Sequence, residues 1–240
     1  KTQLDALTRR RAERLETAGD HAGALESFRR ARELDPEDPA RPLGVARCLH
    51  ALSRSPEALD TLRQTLKKHP DHGESWLLLG RLYDEAGYAR ESVDAFRKAS
   101  VSAELPTASR FDAWSGLGFS CAEAGLADEA IDALSRASAE RPDDARVKAK
   151  LAGLYDAAER GDDAIRTLLA LREVRALSPE EQRRLGLLSA EAGRNEEAIE
   201  PLTRRTQAPC PLLANSFCYL RHFCCRCANS RGIRKHMQIG

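Results

Sequence analysis

The chain has 240 residues, with 38 Lys or Arg, 37 Asp or Glu and 5% aromatic side chains. That length suits one or two ordinary domains with a buried core, and abundant charge with few aromatics fits a soluble, helix-rich protein. No apolar run reaches the roughly 18 residues that a membrane-spanning helix requires.

Charge is unevenly placed. Residues 1–200 hold 31 basic and all 37 acidic side chains, a net of −6, whereas residues 201–240 hold seven basic side chains and no acid. An acidic body with few aromatics argues against nucleic-acid binding. The chain begins with Lys1 and its one methionine is Met237, so it is expected to be processed or a fragment. Cys48 and Cys121 are 73 residues apart and follow no pattern, which fits a reducing cytoplasm, the location expected here.

Small and bulky residues recur in a fixed order along the chain. The first segment supplies Gly19, Ala24, Phe28, Ala31 and Pro36, and the second Ala46, Leu49, Ala58, Leu62 and Pro70. The third supplies Trp76, Gly80, Tyr83, Gly87, Ser92, Phe96 and Ala99. Thirty-eight residues on, the fourth has Trp114, Gly118, Cys121, Gly125, Ala130, Leu134 and Ala137. The fifth follows Pro142 with Ala152, Tyr155, Ala164 and Leu168, and the sixth gives Gly186, Gly193, Ala198 and Leu202. Within each segment the apolar residues fall at i, i+3, i+4 and i+7, predicting two antiparallel helices. Ser178 to Glu181, SPEE, is a capping box with proline at the first helical position. Pro36, Pro70 and Pro142 end helices, and Ser55 starts one. Glycine at 80, 118 and 186 is expected to let the second helix cross close to the first, with Phe28, Leu62, Phe96 and Leu134 filling between segments.

This order of residues resembles the tetratricopeptide repeat, whose unit of about 34 residues places Trp, Gly, Tyr, Gly, Ala, Phe, Ala and Pro at set offsets. Six repeats would start near Asp5, Pro39, Gly73, Phe111, Ala145 and Pro179, with TASR (residues 107–110) read as a lengthened linker. The resemblance implies an all-α fold, a right-handed superhelical solenoid of antiparallel helix pairs over residues 1–206, followed by a separate tail at 207–240. Departures are Thr8 where Trp is usual, Pro42 in the second repeat, and Gly161 two positions late, which predicts an irregular turn in the fifth.

The family's groove positions, carried onto this sequence, imply a graded inner surface. They select Arg9, Glu13 and Glu16 first, then Leu43, Arg47, Leu77, Leu78, Arg81, Asp84 and Phe119, and finally Arg146, Lys150, Arg183 and Arg184. An apolar middle and a basic end would suit a peptide or partner helix with leucine-like anchors and acidic groups. The carboxylate clamp used by some members is absent in this register: Arg9, Glu13, Gly44, Glu74 and Leu78 stand where its cations and asparagines belong. No phosphate loop, nucleophile elbow or HExxH is present, and no cofactor, metal or catalytic residue is expected. The function expected is therefore a non-catalytic scaffold or adaptor. The alternative is the repeat region of a larger enzyme, such as a glycosyl- or sulfotransferase.

The tail concentrates cysteine, with Cys218, Cys224, Cys225 and Cys227 around His222. Zinc ligation, palmitoylation and an intermolecular or sporadic disulfide remain alternatives beside a capping helix with a disordered end, or a foreign continuation. The broad structural reading is preferred, because one residue between His222 and Cys224 is cramped for joining two ligand pairs.

Overall fold

The computed structural model describes residues 2–193. The sequence readings on the second helix of the sixth repeat and on the cysteine-rich tail lie outside the described residues. Eleven helices and no strand occur among the described residues: α1 (Thr2–Thr17), α2 (His21–Leu34), α3 (Ala40–Ala51), α4 (Ser55–Lys68), α5 (Gly73–Glu85), α6 (Ala89–Val101), α7 (Thr107–Glu123), α8 (Ala127–Glu140), α9 (Ala145–Ala157), α10 (Gly161–Val174) and α11 (Pro179–Glu191). Internal contacts divide the chain into two compact units, Lys1–Glu181 and Gln182–Gly240. The first is an all-α solenoid of antiparallel helix pairs, α1/α2 through α9/α10, each helix packed on the next.

Every first helix ends in the same way. Gly19, Gly87 and Gly125 take φ of +80°, +76° and +78°, and Ser53 and Glu159 occupy the matching positions at +60° and +57°. One residue further on, an amide reaches back five residues: Asp20 to the Leu15 carbonyl, Arg54 to Leu49, Tyr88 to Tyr83, Leu126 to Cys121 and Arg160 to Tyr155. This is the left-handed closure that satisfies carbonyls left open at a helix end. The fifth repeat is thus as regular as the others. Glu159 adopts the left-handed conformation, so the displaced Gly161 does not distort the turn.

The packing shows why small residues recur. A Cβ on Gly80 would lie 2.8 Å from the Phe96 ring, and one on Gly116 would lie 2.5 Å from the same ring. Phe96, 2% exposed, is therefore wedged between its own pair and the next. Gly44 receives Phe28 at 2.5 Å and Gly118 receives Leu134 at 2.5 Å in the same manner. TASR is not linker. It forms the first turn of α7, which starts at Thr107 after Pro106, while buried Leu105 anchors the preceding loop. Proline restrains the residue before it but suits a helix entry, so four added residues lengthen the helix by about one turn.

Caps hold the later helices. Asp144 accepts from the amides of Arg146 and Val147, both at 3.0 Å, at the start of α9. Ser178 and Glu181 exchange bonds reciprocally: Glu181 N–H donates to Ser178 Oγ (3.3 Å) and Ser178 N–H to the Glu181 carboxylate (2.8 Å). Arg175 also grips Glu181, at 2.7 and 2.9 Å, and holds its carboxyl below the ordinary value.

Candidate binding surface on the first helices

The side of the first unit on which a partner could lie follows from how the helices converge. Beyond sequential packing, α3 touches α5, α5 touches α7, and α7 touches α9, more closely than the second helices approach one another. Elements on the inside of a curved stack lie nearer each other than those outside, so the first helices line the inner face.

The inner face is cross-linked by charge. Arg47 on α3 holds Glu16 on α1 through two bonds, Nε to Oε1 at 2.8 Å and Nη2 to Oε2 at 2.9 Å. Arg81 on α5 donates to Asp112 on α7 at 2.6 Å. His50 on α3 lies 3.5 Å from Glu85 on α5, and the Asp84 carboxylate accepts from Ser120 Oγ of α7 at 3.3 Å. Sequence reasoning selected Arg47, Arg81 and Glu16 without their pairing. Both arginine–carboxylate pairs are 31 residues apart, but Glu16–Arg47 is one 34-residue repeat less about one turn whereas Arg81–Asp112 crosses the longer 38-residue step, so no single spacing announced them.

The leucines expected on this face divide. Leu43 is 3% exposed and Leu77 7% exposed, so both belong to the core. Leu78 is half-buried against the cluster that includes Leu79 and Leu82, and Phe119 is half-buried against the cluster that includes Phe111 and Leu151. The reason is angular. Leu43 and Leu77 occupy a position where the helix already turns toward its neighbour, and one residue later, at Leu78, the side chain comes out to the inner face. The apolar middle is accordingly narrower than the sequence suggested.

The cations differ in their freedom. Arg9 is paired with Glu13 at 3.3 Å, and Arg146 reaches Asp144 at 3.4 Å. Lys150, half-buried on α9, has no hydrogen bond or ion pair among the described residues. Arg183 and Arg184 are on α11 beyond the first unit, exposed and half-buried respectively, and both have partners. Cys48 and Cys121 are fully buried free thiols, each pushed up to about 11 by burial, and so are poor nucleophiles at neutral pH. His72 stands at the N-cap position of α5 with Nδ1 2.7 Å from the Ser75 hydroxyl, and burial holds its pKa below the usual value.

The tetratricopeptide repeat profile matches residues 15–82 and 122–185, together more than half of the chain, and a second profile of the same description matches residues 73–100. The chain belongs to the tetratricopeptide repeat family. A curated relative, the small glutamine-rich tetratricopeptide repeat-containing protein 2 of Mycosarcoma maydis, is 28% identical over 82 residues. That match spans 34% of this chain and 23% of the relative, so the chain covers under a quarter of the relative's length. Among solved structures, YrrB, described as a tetratricopeptide repeat protein with an unusual peptide-binding site, shares the fold at a TM-score of 0.65 and 20% identity, covering 75% of this chain and 90% of its own. PilF of Pseudomonas aeruginosa also reaches 0.65, at 14% identity over 91% and 98% of the two chains. MamA reaches 0.56 at 24% identity, over 66% and 91%. No helix among the described residues of this repeat protein is long and apolar enough to cross a membrane.

Proposed function

We propose that the chain is a protein-interaction scaffold whose inner face receives a peptide or partner helix, without catalysing a reaction on it. The observation that carries this reading is the convergence of the first helices, which leaves half-buried Leu78 and Phe119 on one surface bordered by charged side chains. Apolar side chains held half in water are favourable to cover. Leu43 and Leu77 support that surface from beneath. YrrB, of the same fold, is described by its peptide-binding site, which supports the reading. The expected partner combines leucine-like anchors with acidic groups, and the buried free thiols Cys48 and Cys121 support a reducing compartment such as the cytoplasm.

A photo-crosslinking side chain placed at Leu78 is expected to capture a partner in cells, whereas one at exposed Asp132 on α8 is not. Leu78→Glu should abolish co-purification of the captured protein while helix content by circular dichroism is unchanged. Capture from Asp132 alone, or none from Leu78, refutes the inner-face reading.

A further inference from the structure

The turn HPDH, residues 69–72, joins α4 to α5 away from the inner face. Its carbonyls are clamped from two sides. Trp76 Nε1 of α5 donates to the Pro70 carbonyl at 2.6 Å, and Ser102 Oγ of the α6–α7 loop donates to the Asp71 carbonyl at 2.6 Å. A Cβ on Gly73 would lie 2.8 Å from Ser102 Oγ and 2.9 Å from Leu105, so the start of α5 sits tightly against that loop. Yet within α1 to α10, α4 and α5 have the least extensive contact of any two consecutive helices. The joint between the second and third repeats therefore leans on this turn.

Two imidazoles and several charges meet there. A cleft of about 410 Å³ is lined by Glu37, Lys68, His69, Asp71, His72 and Glu104. His72 is half-buried, with Nδ1 2.7 Å from the Oγ of Ser75, which is fully buried and makes no other hydrogen bond among the described residues. A neutral imidazole can accept the Ser75 proton, whereas an imidazolium can only donate. An imidazolium would also set positive charge at the positive end of α5. The charges that act on His72 are Glu74 on α5, Glu104 in the α6–α7 loop, His69 at the end of α4 and Asp38 in the α2–α3 loop. Those carboxylates favour a charged ring, but Arg41 already holds Asp38 at 3.2 Å, and Lys68 lies 3.6 Å from Glu37. Burial outweighs them, helped by repulsion from His69, and holds His72 below its ordinary value.

We propose that this turn is a pH-sensitive joint, in which protonation of His72 releases the start of α5 and loosens the third repeat from the second. The sign follows from linkage. The folded value lies below the unfolded one, near 6.5, so the joint keeps its full stability above that value and loses it as pH falls through it toward the folded value.

Hydrogen exchange on the full chain at pH 7 and pH 5.5, expressed as protection relative to an unstructured peptide, tests this. Protection of the Trp76 and Leu77 amides is expected to fall roughly threefold or more on acidification, and that of Ala133 and Leu134 in α8 to change less. His72→Asn supplies a favourable N-cap that does not titrate, and should keep the α5 protection nearly constant. An NMR titration of the parent gives a second reading: His72 is expected to titrate below the same histidine in a short peptide of the turn sequence. Equal loss in parent and His72→Asn, or a His72 midpoint at or above that of the peptide, overturns the proposal. Equal loss in α5 and α8 would place the effect on the whole first unit and remove the joint. None of these measurements needs a partner, so their failure leaves the inner-face reading untouched.

Discussion

Ser53 and Glu159 hold a backbone conformation that an L side chain adopts at a cost of about 1 kcal/mol or more, where Gly19, Gly87, Gly125 and Gly193 stand at the matching turns. Each does so because the amide one residue later must reach the carbonyl five residues back to close the first helix. Glu159→Gly should therefore stabilise the chain by roughly 0.5–1 kcal/mol, the gain reduced by the extra freedom glycine has when unfolded. Urea denaturation would show this as a raised midpoint with an unchanged slope, and a lowered midpoint would mean that the Glu159 side chain contributes more than its backbone costs. The same position shows what single residues reveal. Gly19, Gly87, Gly125 and Gly193 announce four of the turns, but a glutamate in the left-handed region has no local signature, and only the bonding across the turn requires it.

Among the helices, α9 depends most visibly on its cap. Burial would push the Asp144 carboxyl up, but the Val147 amide and the Arg146 guanidinium override it and hold the group below its ordinary value. Its contribution is then fully present above the unfolded value, near pH 4, and is lost as pH falls through the folded value. Asp144→Ala should cost about 1 kcal/mol at neutral pH. The difference between mutant and parent should shrink toward pH 3, measured as paired urea midpoints at pH 7 and pH 3. A difference that stays constant would show that the cap works through shape and not charge. The helix boundaries also mark the limit of sequence reading at this scale. SPEE announced the cap of α11 because its bonds are local. TASR looked like linker because nothing in those four residues opposes or demands a helix; Pro106 and buried Leu105 place it in α7.

Across the first unit, stability passes from pair to pair through wedges, of which Phe96 is one, lying between Gly80 and Gly116. In a stack where each pair touches only its neighbours, weakening one joint separates what lies on either side. Phe96→Ala should cost about 3–5 kcal/mol and broaden or split the calorimetric transition, the portion before α7 melting apart from the portion after it. A single sharp transition at a lower temperature would mean that the ion pairs Arg81–Asp112 and Arg97–Glu129 suffice to couple the two sides.

The sequence by itself determined the repeat, its period and the helix pairs. It did so because amphipathic spacing, turn glycines and caps are bonds and contacts between residues a few positions apart. The residues it selected as a candidate surface lie on the first helices of the pairs and on α11. Tertiary structure alone decided which of those residues remain available to a partner. Leu43 and Leu77 disappear into the core, Arg47 and Arg81 are neutralised from a neighbouring repeat, and Leu78 and Phe119 stay half-buried. Each of those outcomes depends on the approach of groups about thirty residues apart, which is set by how neighbouring helices pack and leaves no trace in the local spacing that identifies the fold.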